Sequence, residues 1–215
     1  MFIKPDFRQE RKFWQYQKKP IIAVDEAGRG ALAGPVVAGA FFVKNVNQKI
    51  SKPPIQIRDS KQLSPKQRKV LFAWLKKQKN FGWAVGTASN KTIDKINIRQ
   101  ANFRAMKKAI QALSAKRLQK KKFIVFVDGN DKIPNLSQKQ FAFVRGDARI
   151  FSLACASIVA KVTRDRLMIR LAKKYSRYDF EIHKGYGTER HFQKIKKHGL
   201  SKIHRKTFLK KLNEK

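Results

Sequence analysis

Four apolar residues, Ile21-Ile22-Ala23-Val24, run without alternation and stop at two adjacent carboxylates, Asp25 and Glu26. An unbroken apolar run of this kind reads as a strand buried on both faces. The turn Gly28-Arg29-Gly30 follows at once. Unpaired charge is expensive to bury, so two acids at the mouth of such a strand need a partner. A hard divalent cation, which takes oxygen ligands, is one candidate; a strand end running into a polar turn is the plain structural alternative. Phe123-Ile124-Val125-Phe126-Val127 repeats the pattern and ends in Asp128-Gly129-Asn130. Side by side, the two strands would bring Asp25 and Asp128 together at the edge where open α/β sheets place their sites.

The rest of the chain supplies the layers around these strands. Residues 36–43 and 81–88 read as further strands, the first an antiparallel partner for residues 21–24. Ser64-Pro65 marks a helix start, with Ser as N-cap and Pro in the first turn. Residues 90–114 are helical by period, and the strand-helix-strand order over 81–128 predicts parallel neighbours joined by a crossover. Residues 141–144 form a short strand. A helix from about 150 to 174 is apolar nearly all round in its first half and therefore buried. Asp147 stands just before it, either as an acid complementing the helix dipole or as a further member of the carboxylate group. A helix from 188 to 197 and a last short one after His204-Arg205 close the chain. The expected organisation is a basic arm over 1–20, with a short helix packed on the core, and one α/β domain over 21–215 with a C-terminal helical lobe from about 176.

Charge narrows the partner. Among 215 residues, 51 Lys and Arg face 14 Asp and Glu, a formal net charge of +37. Such self-repulsion is relieved by a polyanion, and nucleic acid is the obvious one, although a lysine-biased genome would also raise the count. The single cysteine, Cys155, sits in an apolar run and excludes a disulfide framework or a Cys-based zinc cluster. No apolar run reaches membrane-spanning length and no signal-peptide core is present, which predicts a cytoplasmic protein. A monomer is the default.

Asp25, Glu26, Asp128 and Asp147 together would suit two Mg²⁺ or Mn²⁺ ions, which lie about 3.5–4 Å apart in two-metal phosphoryl-transfer sites. A basic surface around that group fits a phosphodiester. The residues alone therefore reach a metal-dependent nuclease without naming the polymer.

Seven motifs in order also carry a resemblance. Residues 25–37, Asp59-Ser60-Lys61-Gln62-Leu63-Ser64, Ile93-Asp94 with Asn97-Ile98, and Asp128-Gly129-Asn130 are similar to motifs of the ribonuclease HII family. So are Gly146-Asp147 with residues 156–165, His183-Lys184-Gly185-Tyr186-Gly187-Thr188, and His204-Arg205 with Phe208. The resemblance spans about residues 21–208. It implies an RNase H-like fold, a five-stranded mixed sheet flanked by helices. It implies cleavage of RNA in RNA–DNA hybrids, and cutting 5′ of a single ribonucleotide embedded in duplex DNA, leaving a 3′-hydroxyl and a 5′-phosphate. Asp25, Glu26, Asp128 and Asp147 match the family's metal-binding acids. Gly28, Arg29 and Gly30 match the loop whose backbone reads the ribose 2′-hydroxyl, the group that tells RNA from DNA. Tyr186 matches the tyrosine that stacks on the sugar at the RNA–DNA junction. Lys61, Asn130, Lys161 and Lys184 are candidates for phosphate contacts, or for surface and structural roles. Ala31 stands where the family usually has proline, and Arg58 where asparagine often precedes Asp-Ser-Lys. Asp147 is aspartate, as in ribonuclease HII; ribonuclease HIII usually has glutamate and a large N-terminal extension.

The remaining polar residues carry plainer expectations. His183, His191, His198 and His204 read as surface or structural histidines rather than metal ligands. Asp165 pairs with a nearby Arg or caps a turn, and Asp59 and Asp94 fix local turns or helix starts. His204-Arg205 anchors the C-terminal helix, and Lys120 to Lys122 form a solvated run. No clamp-binding motif stands out over residues 207–215. The competing functions are another nuclease of the same fold and a non-catalytic basic module that binds RNA or duplexes.

Overall fold

The computed structural model describes residues 5–17, 19–44, 50–118 and 122–210. The expectations for Lys120, Lys121 and residues 211–215 lie outside them. Five strands, β1 (Ile21–Ala27), β2 (Val36–Val43), β3 (Phe81–Ala88), β4 (Ile124–Asp128) and β5 (Gln140–Phe143), form one sheet in the order β3-β2-β1-β4-β5. β1 and β2 are antiparallel, as are β2 and β3, whereas β1–β4 and β4–β5 are parallel. This is the five-stranded mixed sheet of an RNase H-like fold.

One expectation fails here. β3 and β4 are not neighbours: β2 and β1 lie between them. The crossover helix spans the hairpin pair instead of joining adjacent strands, because the place beside β4 is taken by β1, whose apolar run Ile21–Val24 is buried on both faces. β1 and β4 are side by side in register, with Val24 opposite Val127, so Asp25 and Asp128 follow at the same end.

The strand period of two divides the core. Ile21, Ala23, Phe41 and Phe126 face one side, against α2 (Pro65–Lys77) and α4 (Phe151–Lys174). Ile22, Val24, Ala40 and Val127 face the other, against α3 (Asn90–Arg117). α4 lies close to the sheet at Gly39, where a Cβ would stand 2.4 Å from the Ala156 carbonyl oxygen. α3 is kinked at Asn97, which has φ 60° and accepts a hydrogen bond from Gln100 N on its own side chain.

The N-terminal segment forms α1 (Arg8–Gln17) and packs as expected, with Phe13 against Phe126 and Phe141 at 5.0 and 4.4 Å. Asp6 pairs with Ile150, and buried Glu10 accepts a hydrogen bond from Ser152 N (2.7 Å) in the first turn of α4. At the other end, α5 (Phe180–His183) and α6 (Glu189–His198) follow α4. Beyond Arg205 the described residues form only a 3-10 turn, Lys206–Phe208, instead of the expected helix. Asp94 is no local turn residue: it accepts from Lys206 N and Thr207 N, tying α3 to this distant segment.

Candidate active site

β1 delivers Asp25 and Glu26 to opposite faces of the sheet, as adjacent strand residues must be. Asp25 is buried on the α4 side and takes a hydrogen bond from Ser157, whose hydroxyl also meets Ser60 Oγ at 2.8 Å. Glu26 is half-buried, takes a hydrogen bond from Asn102 of α3, and lies 3.8 Å from the Arg29 guanidinium. Asp128 ends β4, and its Oδ1 accepts Asp147 N at 3.1 Å. Asp147 is buried in a 3-10 turn, Gly146–Ala148, that precedes α4. Carboxylate oxygens of Asp25, Asp128 and Asp147 lie within 4.8 Å of one another. Glu26 is not among the three, but its charge acts on both Asp25 and Asp128.

The electrostatics are those of a cluster short of positive charge. Burial first, then Glu26 and Asp128, push the Asp25 carboxyl well above its usual range. Burial and Asp128 push Asp147 up to about 6. Burial also raises Asp128 and Glu26. Oδ2 of Asp147 is buried without a hydrogen bond, and the nearest cation is the exposed Lys61 ammonium, 3.9 Å away. Burial pulls the Lys61 ammonium down, but Asp147, Asp59, Asp25 and Asp128 together outweigh it and raise it. An all-oxygen donor set with an unsatisfied buried oxygen fits a hard divalent cation.

Beside the carboxylates stands the glycine loop. Gly28 has φ +89°, and a Cβ there would lie 1.8 Å from Arg164 Nε. Arg205, fully buried, donates to the carbonyls of Gly28 (2.7 Å), Arg29 (2.8 Å) and Gly34 (3.0 Å). Arg164, also fully buried, donates to Pro35 O (3.0 Å) and Ala33 O (3.2 Å). The loop thus has its carbonyls turned inward onto two guanidinium groups. Around Gly30 there is open space. Tyr186 is joined to Ala31 by an antiparallel bridge, and Lys161 Nζ and Arg164 Cζ each lie 5.0 Å from its ring centre.

A family model described as Ribonuclease HII matches residues 22–211. The chain belongs to the ribonuclease HII family. A curated Ribonuclease HII of Fusobacterium nucleatum is 46% identical over 202 residues, covering 94% of this chain and 91% of that protein. One of Caldicellulosiruptor bescii is 44% identical and covers 96% and 94%. The crystal structure of the ribonuclease H2 from Pyrococcus horikoshii matches with a TM-score of 0.71 at 28% identity, over 91% of this chain and 97% of that one. As a ribonuclease HII, the protein is a divalent-metal-dependent endoribonuclease that cleaves the RNA of RNA–DNA hybrids.

The other residues singled out in the sequence fall into two groups. Lys61 stands at the carboxylates. Lys161 is engaged with Asp165 at 3.0 Å, and Lys184 donates to the carbonyls of Glu181 and Ile182 in its own short helix. Asn130 is exposed in the turn after β4. Asp165 also meets Arg68 at 3.5 Å, so its pairing with an arginine holds. Arg164 and Arg205 emerge as the supports of the ribonuclease HII glycine loop. The signal for Arg164 was a cation on the apolar face of α4, four residues from Ala160 and Met168. Arg205 does more than anchor the C-terminal segment.

Proposed function

We propose that the protein hydrolyses the phosphodiester 5′ of a ribonucleotide, both in RNA–DNA hybrids and at single ribonucleotides in duplex DNA, leaving a 3′-hydroxyl and a 5′-phosphate. The carrying observation is a backbone loop with inward carbonyls that follows Asp25 and Glu26 directly in the chain and is bridged at Ala31 to a cation-flanked tyrosine. Asp25, Glu26, Asp128 and Asp147 are the ligands for two divalent ions, Mg²⁺ or Mn²⁺. When bound, the ions supply Lewis-acid activation of water and charge stabilisation at the scissile phosphate.

The chain's own groups orient the substrate. With the carbonyls of Gly28 and Arg29 held by Arg205, residues 28–30 present their other edge to the ribose, and the open space at Gly30 admits the 2′-hydroxyl. Tyr186 stacks its ring on the sugar at the junction. Lys61 is the best-placed side chain for a phosphate, since it is exposed and beside Asp147. Lys161 supports Tyr186 and Asp165, and a phosphate contact by Lys184 would require release of its carbonyls. Asn130 has the exposure a phosphate contact needs. A monomer suffices, because one chain provides every group of the site. A cytoplasmic location fits a chain whose single cysteine, Cys155, is a free thiol and whose fold uses no disulfide.

The test is a cleavage map on three duplexes: DNA with one ribonucleotide, its all-DNA twin, and a long RNA–DNA hybrid, each with Mg²⁺, Mn²⁺ or chelator. The expected result is a metal-dependent cut 5′ of the lone ribonucleotide with the twin intact. Cutting of the long hybrid alone would remove the junction reading and keep the nuclease.

A further inference from the structure

We propose that His191 is a positioning residue for Tyr186, the middle link of a directed hydrogen-bond relay running from His204 to the Tyr186 carbonyl. The inference rests on the reading of Tyr186 as the junction-stacking residue.

The direction of the relay is set from both ends. Ser201 N lies 2.8 Å from His204 Nδ1. A backbone N–H only donates, so Nδ1 accepts and the neutral ring carries its proton on Nε2. That proton meets His191 Nε2, 3.1 Å away, which must accept it. His191 then carries its own proton on Nδ1, 2.9 Å from the Tyr186 carbonyl oxygen, which only accepts. The tautomer demanded by Tyr186 is therefore the one imposed by Ser201.

His183 stacks on His191 at 4.3 Å and is set separately. Gly185 N donates to its Nδ1 at 3.1 Å, and its Nε2 meets Tyr178 O at 2.7 Å. All six nitrogens of the three rings are engaged, which excludes a metal site in this arrangement. The rings are buried, and burial pushes His191 and His204 down to about 4, so the neutral forms the relay needs are the ones present near pH 7. A proton added to His191 Nε2 would set two N–H donors against each other.

Lys161 and Arg164 flank the Tyr186 ring, and its backbone is fixed separately: its N–H on His183 O (3.0 Å), its bridge to Ala31, and its carbonyl on both Thr188 N (2.9 Å) and His191 Nδ1. Ala31 follows Gly30, so the same residues fix the distance between the tyrosine and the glycine loop. The relay sets the height of the ring over the ribose without touching substrate.

Two variants and one spectrum test this. His191→Leu removes both links; His191→Asn keeps an amide donor where Nδ1 stands. His191→Leu is expected to lower kcat/KM at a lone ribonucleotide about tenfold more than on a long hybrid, the size of one positioning hydrogen bond, and His191→Asn to restore most of it. In the wild-type protein, imidazole ¹⁵N shifts should report Nε2–H for His204 and Nδ1–H for His191. The opposite tautomers, equal losses of the Leu variant on both substrates, or no rescue by Asn would each overturn the relay. Tyr186→Ala run alongside separates the two failures. Selective loss with Tyr186→Ala but not with His191→Leu refutes the relay alone. Equal loss on both substrates with Tyr186→Ala refutes the junction reading and the relay's function with it.

Discussion

Gly28 and Gly30 bracket one arginine and have opposite tolerances. A Cβ on Gly28 runs into the Arg164 guanidinium at 1.8 Å and inherits φ +89°, whereas a Cβ on Gly30 meets open space. Gly28→Ala is expected to cost about 1–3 kcal/mol of folding stability by denaturant unfolding, and Gly30→Ala no more than about 0.5 kcal/mol. Equal losses would mean that Arg164 does not set the loop. The carboxylates obey a different logic. Each is charged at the expense of its neighbours, so removing one charge relieves the rest. Asp128→Asn is expected to abolish cleavage while hybrid binding survives, and to raise the melting temperature of the metal-free protein. Wild type should gain melting temperature on adding Mn²⁺, and the variant should gain little. A variant that still turns over would refute the metal-ligand assignment.

The sequence made Asp25 and Asp128 readable because so few carboxylates exist and both end apolar runs. The strand period carries a further signal. Adjacent strand residues point apart, so Asp25 and Glu26 cannot enter the cluster from the same face, and the structure brings together only the other three acids. For Asp147 the sequence is silent between helix capping and the cluster, since position before a helix does not measure a distance across the sheet. The histidines were rightly structural. What sequence spacing hid is that His183, His191 and His204 form one packed group.

Among the elements, α4 governs the site. It carries Ser157 against Asp25 and Arg164 under the glycine loop, and the Asp147 turn leads into it. Its depth is set by Gly39, and its first turn by Glu10 of α1. Burial pushes the Glu10 carboxyl up to about 7, although its hydrogen bond from Ser152 opposes this. A folded-state value above the unfolded one means that the folded protein holds the proton more tightly. The associated stability is complete below about pH 4.5 and is lost as pH rises through 7. The shift corresponds to about 3 kcal/mol. Glu10→Gln keeps the acceptor and removes this titration, so its stability should decline less than that of wild type, as measured by unfolding between pH 5 and about 8, the raised carboxyls of the cluster contributing equally to both proteins. Parallel profiles would show that Glu10 does not titrate in this range. The elements themselves were largely readable from period and punctuation: Ser64-Pro65 does start α2, and the apolar first half of α4 is buried. Strand neighbours were not. The misplacement of β3 beside β4 arose because chain order alone does not say which edge of a sheet a crossover returns to.

For the whole molecule, the net charge of +37 acts as a field rather than through particular contacts. Binding to any duplex should weaken about a thousandfold or more between roughly 50 and 200 mM salt, while the preference for a ribonucleotide stays constant. Fluorescence anisotropy on the ribonucleotide duplex and its all-DNA twin measures both. A flat salt response would argue against phosphate-dominated binding.

The hold of Arg205 on Gly28 and Arg29 joins positions 177 and 176 residues apart. A chain that ends at residue 204 contains every described strand, the four acids Asp25, Glu26, Asp128 and Asp147, and Tyr186, yet its ribose-reading loop lacks its clasp. Substrate recognition therefore depends on the far end of the chain, whereas the sheet and its carboxylates do not. Chains ended just before and just after residue 205, assayed on a lone ribonucleotide, would show whether a folded core without the clasp can still find its substrate.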